Sequence, residues 1–225
     1  MDEKLITVTG KGGIHVTPDV TRLSLTLKSI HETYEEAYRQ AKANTDNLSK
    51  IMEETGLDKT LPKTIRLDID KKTKREYDKY GKYVDDKFIG FDLDHMVKID
   101  LGMDNMLLSK IVRLTGRYMK QAEMEIGYTV HDPRPAQLKM LERAVKDAKE
   151  KASIMAKACN CKLGLVKEIN YSIHEIHIYS QARMIHESAE AEFCSPNSLN
   201  INPDDLVAED NVTVKWYLSN NVEEE

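Results

Sequence analysis

The first residues that could do chemistry are Gly10, Lys11, Gly12 and Gly13, in the segment VTGKGGIHVTPD. A phosphate-binding P-loop needs G-x-x-x-x-G-K-[ST] leading directly into a helix whose first amides hold the phosphates. Here the lysine precedes the glycine pair, and strand-like residues stand on both sides. Glycines between two strands supply the positive φ of a turn or a bulge. The sequence therefore predicts a turn at this point and not a nucleotide site.

Two histidines and two cysteines are the candidate metal ligands, and the sequence predicts no cofactor. His174 and His177 are three residues apart in the strand-like segment IHEIH, so their rings are expected on opposite faces. Cys159 and Cys161 form a C-x-C that lacks the second pair of a zinc site. Cys159 also fits the apolar side of a predicted helix. Structural or solvent-facing roles are favoured, and a redox or metal role is the alternative.

No convergent catalytic set is visible along the chain. The nucleophile motif G-x-S-x-G is absent, and no carboxylate stands in an apolar run that would raise its pKa. Asp19 follows Pro18 at the start of a strand, where a turn carboxylate capping amides is the simpler explanation. An enzyme or small-molecule binder would need a cleft between two repeats that holds Asp19, His31 or His131. We expect no catalytic residue.

Residues 71–87, KKTKREYDKYGKYVDDK, combine charges with three tyrosines, Tyr77, Tyr80 and Tyr83. Seven basic and four acidic residues leave a net charge of about +3. The tyrosines could anchor a protein interface or stack on bases, and the charges could simply protect a sheet edge. Protein contact is the first interpretation, a solvated edge the second and nucleic acid the third.

Periodicity predicts the elements of the first half. Strands are expected at 4–10 and 20–30, followed by a helix that begins at a capping box of Thr33 and Glu36 and ends at Gly56. Its apolar positions are Tyr34, Ala37, Tyr38, Ala41, Leu48, Ile51 and Met52. Strands at 63–75 and 83–101 pair about Gly81 in a projecting hairpin with arms on the order of 50 Å long. A short helix at 104–115 is capped by Asp104 and ends at Gly116.

The second half is predicted to follow a similar order. A strand at 119–130 leads into a helix at 135–159, a returning strand, a mobile loop at 180–205 and a closing strand at 208–219. The helix carries an apolar stripe with alternating spacings of three and four. Its members are Leu138, Leu141, Val145, Ala148, Ala152, Met155 and Cys159.

An α+β fold follows from this order of elements. We expect a single domain over 1–225, built from two β-α-β-β repeats at about 4–101 and 119–219 and joined by the short helix. The strands are long and mostly antiparallel, and the helices pack on one side of the sheets.

Composition describes a soluble globular protein. The chain has 225 residues, a formal net charge of −5, and no apolar run of the length that spans a membrane. The acidic balance argues against nucleic acid as an obligate partner. The first residues lack a basic and then apolar leader, which predicts a cytoplasmic protein, or a periplasmic one whose leader has been removed. Three cysteines are expected to be reduced thiols.

Several segments in order resemble the SIMPL domain, also called the domain of unknown function 541. They are VTGKGGIHVTPDVTRLSLTL, TYEEAYRQAKANTDNLSKIM, FIGFDLDHMVKIDL, AVKDAKEKASIMAKACNCKLGLVKEI and INPDDLVAEDNVTVKWYL, between residues 5 and 219. Phe91 stands where the family has the aromatic of a Gly-Tyr pair, and Asp204 where a glycine follows Pro203.

The resemblance implies a protein similar to bacterial periplasmic or immunogenic outer-membrane-associated proteins, some of them named for oxidative stress defence. A mammalian member is named for binding a kinase of innate immune signalling. No catalytic residue is carried over. We expect a non-enzymatic module that forms a homo-oligomer or binds a protein partner, with a stress-related role, without nucleic acid and without integral membrane association.

Overall fold

A computed structural model describes residues 3–171, 179–182 and 201–220. The α+β prediction is confirmed. The elements in chain order are β1 Leu5–Val16, β2 Val20–His31, α1 Tyr34–Thr55, β3 Lys63–Tyr77, β4 Tyr83–Gly102, α2 Asn105–Tyr118, β5 Glu123–Thr129, α3 Arg134–Ala158, β6 Cys161–Asn170, β7 Tyr179–Ala182 and β8 Leu206–Asn220.

These elements form two compact units that are discontinuous in sequence. Unit 1 comprises Met1–Pro18, Thr129–Tyr179 and Asp204–Glu225, and unit 2 comprises Asp19–Tyr128 and Ser180–Pro203. β1 therefore shares a unit with α3, β6 and β8, which follow it by more than a hundred residues. The predicted duplication over 4–101 and 119–219 stays a prediction, and the loop predicted at 180–205 lies mostly outside the described residues.

Unit 1 is a three-stranded antiparallel sheet in the order β1-β8-β6 with α3 packed on one face. β1 pairs with β8 over the whole length of β1, from Leu5 opposite Tyr217 to Val16 opposite Leu206. Because alternate side chains of a strand point to opposite faces, one set meets the helix and the other meets solvent. The buried cluster of this layer is Val8, Ala144, Ala148, Ala152, Val212, Val214 and Trp216.

The turn predicted at the glycines of the first segment is wrong. β1 runs without a break through Gly10, Gly12 and Gly13, and none of the three has a positive φ. A Cβ on Gly10 would lie 2.0 Å from the Ala144 carbonyl oxygen, and one on Gly12 would lie 2.0 Å from the Met140 carbonyl oxygen. These two glycines therefore serve close approach of α3 to the strand.

The same contact corrects the apolar stripe of α3. The buried residues follow a spacing of four: Ala136, Met140, Ala144, Ala148, Ala152 and Ala156. Leu138 and Met155, which were predicted to face inward, are exposed, and so is Cys159 at the end of the helix. A helix that contacts strand backbone must present its smallest side chains. The face of α3 that packs on the sheet is therefore the alanine face and not the predicted face with the larger apolar residues.

Unit 2 is a five-stranded sheet in the order β3-β4-β2-β5-β7, with α1 packed against it and α2 packed against α1. The pairs β2–β4 and β3–β4 are antiparallel. The core is made of large aliphatic side chains, and its fully buried members include Leu23, Leu25, Ile51, Met52, Leu93, Ile99, Leu108 and Ile111. The predicted hairpin is confirmed, with β3 ending at Tyr77 and β4 at Gly102, two residues and one residue beyond the predicted ends.

The helix boundaries of unit 2 follow the predicted caps with two corrections. Thr33 and Glu36 form the capping box, and Gly56 takes the left-handed conformation at φ 76°. Tyr34 and Tyr38, predicted to face inward, are exposed at 56% and 59%. Gly116 lies inside α2, which runs on to Tyr118.

Within the described ranges, no helix combines the length and the apolar character that crossing a bilayer demands.

Candidate functional site

The most exposed regular structure is the distal part of the β3–β4 hairpin, here called the arm and defined as residues 73–89. Every residue of the arm is exposed. β2 supports β4 only as far as the pair His31–Phe91. Beyond that pair the arm is a two-stranded ribbon, and no described residue covers either of its faces. An isolated two-stranded hairpin is only marginally stable in water, so an arm of this kind is expected to gain from a further contact.

The arm is joined to the sheet at Gly90. This buried glycine has a φ of 144°, and a Cβ there would lie 2.5 Å from the His31 carbonyl oxygen. A change of register between the pairs Lys72–Gly90 and Thr73–Phe88 leaves Ile89 unmatched, as in a β-bulge. A second change of register leaves Val84 unmatched. Bulges bend and twist a strand, so they direct where the arm points.

The tip of the arm is held by a network about Asp78. Its carboxylate accepts hydrogen bonds from the backbone amides of Tyr80, at 2.8 Å, and Lys82, at 2.9 Å. The Asp78 amide donates to the Lys82 carbonyl oxygen at 2.8 Å. Gly81 supplies the left-handed residue of the turn with φ 80°. The turn is thus ordered by its own side chain.

The three predicted interface tyrosines all lie at this tip. Tyr77 and Tyr83 are paired across the strands and meet edge to face, with ring centroids 6.3 Å apart. Tyr80 in the turn is 82% exposed, and Lys79 lies over its ring at 5.0 Å. The structure therefore brings these residues together on an exposed surface, in agreement with the sequence-based placement.

A second aromatic group lies at the base of the arm and was missed by the sequence reasoning. Phe88 and Phe91 meet at 5.4 Å between centroids, and Tyr34 meets Phe91 at 5.9 Å. Tyr34 and Phe88 are about half exposed. The sequence did contain a signal for this group, the apolar segment FIGF at residues 88–91. Its exposure follows from the point at which β2 stops pairing with β4, and that point is known only once the strands are paired.

The two strands of the arm differ in net charge. The β3 side presents Lys74, Arg75 and Glu76, and the β4 side presents Asp85, Asp86 and Lys87, of which Lys87 pairs with Glu76 at 3.5 Å. Among the described strands, β3 is the terminal strand of its sheet, and the part of β4 within the arm has no partner on the side that β2 occupies further along. Both edges therefore offer unpaired backbone groups.

The edge strand β1 of unit 1 shows how an edge is closed elsewhere in the chain. The Lys11 amide donates to Asp147 Oδ2 at 2.7 Å, and Arg143 Nη1 donates to the Gly13 carbonyl oxygen at 2.5 Å. Both side chains come from α3. Hydrogen bonds to Lys151 and to the Lys11 amide hold the pKa of Asp147 below its usual value. In the arm, Asp85 Oδ1 accepts a hydrogen bond of 2.8 Å from the Asp86 amide, and within the described residues no helix side chain bonds to the backbone of its strands.

Two of the residues proposed for a catalytic cleft, Asp19 and His31, lie at opposite ends of β2, a strand of about 40 Å by its residue count. The cleft between the repeats stays a prediction. His31 Nε2 shares a hydrogen bond of 2.8 Å with Ser29 Oγ. His131 belongs to unit 1 and is exposed.

The candidate metal ligands are only partly described. Cys161 Sγ lies 3.5 Å from the Cys159 carbonyl oxygen, and Cys159 is exposed. No three His, Cys, Asp or Glu side chains form a metal-sized group among the described residues. His174 and His177 lie outside those residues, as do His186 and Cys194, so the prediction about a metal stays a prediction.

One buried titratable group was not anticipated. His95 on β4 is 2% exposed, and its Nε2 shares a hydrogen bond of 3.3 Å with Thr64 Oγ1. His95 Nδ1 is buried and has no partner in the described part of the chain. Burial lowers the pKa of this imidazole. The alternation of β4 does place residue 95 on the apolar face, which is the signal that was available.

A model of the SIMPL family, described as a protein of unknown function (DUF541), matches residues 6–216, nearly the whole chain. No curated protein matches the sequence.

Proposed function

The chain belongs to the SIMPL family, whose function is unknown, and we propose that it is a self-associating module in which the arm of one copy pairs with the arm of the next. The observation that carries this proposal is a ribbon exposed on both faces from residue 73 to residue 89. In a monomer such a ribbon contributes little to stability, since it buries little of its own apolar surface.

Apolar side chains on the arm favour protein as the partner. Tyr77, Tyr80, Tyr83, Val84, Phe88 and Ile89 are exposed by 41% to 82%. Aromatic residues are enriched at the buried centres of protein interfaces. With acidic residues among the basic ones, a nucleic-acid backbone is a worse match for this surface.

The charges favour a second copy of the chain over an unrelated protein. Two β3 edges brought together would place Lys74 and Arg75 against the same residues of the other copy. A β3 edge against a β4 edge instead places them near Asp85 and Asp86 of the other copy. Strand addition of this kind uses main-chain hydrogen bonds for affinity and side chains for choice of partner. Because the two edges differ, the contact is heterologous and generates a ring or a filament.

The first experiment measures solution mass by size-exclusion chromatography with light scattering. The intact chain is expected to be an oligomer, and a chain with residues 72–86 replaced by a short turn is expected to be a monomer. A triple variant with Tyr77, Tyr80 and Tyr83 changed to Ser should also lose assembly. Tyr38→Ser removes an equally exposed tyrosine on α1 and is the matched control.

A charge exchange tests the pairing itself. One variant carries Asp85→Lys and Asp86→Lys, and the other carries Lys74→Glu and Arg75→Glu. Each alone presents two edges of like charge and is expected to be monomeric. Mixed together they again offer opposite edges, and the oligomer should return. A monomeric intact chain would overturn the proposal, and failure of the mixture to assemble would overturn the edge-to-edge arrangement.

A further inference from the structure

Unit 2 contains a cavity of about 330 Å³ beside the end of α2. Its wall is formed by the end of β2, the first half of α1, the last turn of α2 and the segment 119–122. The lining residues are Leu27, Lys28, Ser29, Gln40, Asn44, Asn47, Arg117, Tyr118, Met119, Lys120, Gln121 and Ala122. A cavity of this volume falls at the small end of the range for ligand sites.

The lining is positively charged in a chain whose net charge is −5. It includes Arg117, Lys120 and Lys28 but no Asp or Glu. Lys28 follows Leu27 in β2, so its side chain leaves the strand on the opposite face. The remaining cations of the cavity lining are Arg117 and Lys120. In the described ranges neither of these two forms an ion pair.

An amide in the cavity wall adds a hydrogen-bond donor. Asn44 is 5% exposed, and its Oδ1 accepts a hydrogen bond of 2.9 Å from Gln40 Nε2. Its amino group has no protein acceptor among the described residues, and Asn44 lines the cavity, where water or a ligand can accept from that group.

The wall at Tyr118 is fixed by four contacts, one of them from Arg117, whose Cζ lies 5.6 Å from the centre of the Tyr118 ring. Asn47 Nδ2 donates to the Tyr118 carbonyl oxygen at 3.5 Å, and the Tyr118 hydroxyl donates to Glu54 Oε1. Lys50 Nζ lies 4.5 Å from the centre of the Tyr118 ring. A wall held in this way costs little to order when a ligand binds.

We propose that this cavity binds a small organic anion, a carboxylate or a phosphate monoester. The anionic group lies between Arg117 and Lys120 and accepts from the Asn44 amino group, and the apolar body lies on Leu27 and Met119. A guanidinium is suited to either anion because its two parallel N–H groups match two oxygens. The proposal does not depend on self-association through the arm.

The test is a titration of the isotope-labelled full chain followed by amide NMR shifts. The probes are benzoate and phenyl phosphate, with benzamide as the neutral counterpart of benzoate and inorganic phosphate as the anion without an apolar body. At least one of the two organic anions should cause saturable shifts at residues 117–122 and at Asn44, at concentrations up to about 10 mM. Benzoate alone would assign a carboxylate ligand, and phenyl phosphate alone a phosphate ester.

Two variants and a matched control separate binding from folding. Arg117→Gln and Lys120→Gln should each weaken binding of the responding probe by about tenfold. Arg113→Gln removes an exposed cation from the same helix outside the cavity and should leave binding unchanged. Arg117 also sits in the last turn of α2, where a cation stabilises a helix end, so the melting temperature is recorded with each titration.

The proposal is overturned by three outcomes. These are the absence of saturable shifts with both organic anions, equal binding of benzamide, and equal loss of affinity in Arg113→Gln. A variant whose melting temperature falls while its affinity is unchanged assigns Arg117 to the helix end alone and also counts against the site.

Discussion

The buried face of α3 is mostly alanine and lies against glycines of β1, whereas the buried face of α1 carries Leu48, Ile51 and Met52 besides two alanines. In unit 1 the strand backbone at Gly10 and Gly12 lies against helix backbone, so there is no room for another methyl group. In unit 2 the space between the layers is filled by side chains such as Leu25 and Ile51. The first layer is therefore sensitive to added atoms and the second to removed ones.

The largest effect is expected from adding atoms in unit 1. Gly10→Val and Gly12→Val place side-chain atoms where the α3 backbone lies, and each should reduce the free energy of unfolding by at least about 4 kcal/mol or prevent folding. The measurement is urea unfolding followed by circular dichroism. Gly13→Ala is the control, because its Cβ would meet no atom nearer than 4.0 Å. Equal damage from Gly13→Ala would refute the close-approach explanation.

Removing atoms in unit 2 should have the next largest effect. Leu25→Ala and Ile51→Ala each leave a cavity in a fully buried core, and the expected loss is about 2–5 kcal/mol in the free energy of unfolding. Leu138→Ala on α3 removes a residue that is 59% exposed and should cost about 0.5 kcal/mol or less. The same urea titrations measure all three, and a comparable loss in Leu138→Ala would contradict the observed helix face.

A smaller effect concerns pH and the buried imidazole of unit 2. Burial lowers the pKa of His95 below its unfolded value of about 6.5. As the pH falls, the unfolded chain therefore binds a proton at His95 before the folded chain does. The contribution of neutral His95 to stability is present above about pH 6.5 and is lost as the pH falls below that value. His95→Leu removes this titration.

The urea midpoints of the chain and of His95→Leu are compared at about pH 8 and about pH 5. The chain should lose more stability than the variant between the two pH values. Parallel losses would show that other groups carry the acid sensitivity.

The smallest effect on stability is expected from the arm. Changing Tyr77, Tyr80 and Tyr83 to Ser alters exposed residues outside both layers, and each should change the free energy of unfolding by about 0.5 kcal/mol or less. The measurement is made in the variant with Lys74→Glu and Arg75→Glu, which is expected to be monomeric and keeps the three tyrosines, since assembly itself adds stability. A large loss of stability in that background would show that the hairpin end contributes to a core.

Local rules predicted most of the elements. The capping box at Thr33 and Glu36, the N-cap at Asp104 and the turn glycine at Gly81 each depend on residues a few positions apart. Such interactions are complete within one turn of chain, so the sequence contains all that decides them. The exposed tyrosines of the tip were predicted for the same reason.

The errors in unit 1 share one cause, which is that a residue's partner lies far along the chain. Gly10 and Gly12 have the composition of a turn, and only the approach of α3, more than 120 residues later, makes them strand residues. The predicted buried face of α3 included Leu138 and Met155 because large apolar side chains gain most from burial. The backbone contact with the glycines selects Ala144 and Ala148 instead.

The candidate sites likewise have some features that local sequence determines and others that depend on tertiary structure. The sequence by itself determined an α+β chain with a long hairpin, an ordered turn at its end and aromatic residues exposed there, because these follow from period, caps and turn chemistry. Only the tertiary structure decided where β2 stops supporting β4, which strand edges stay open, and which side chains line the cavity beside Tyr118. Those features arise from distances between segments remote in sequence, and no local pattern specifies such distances.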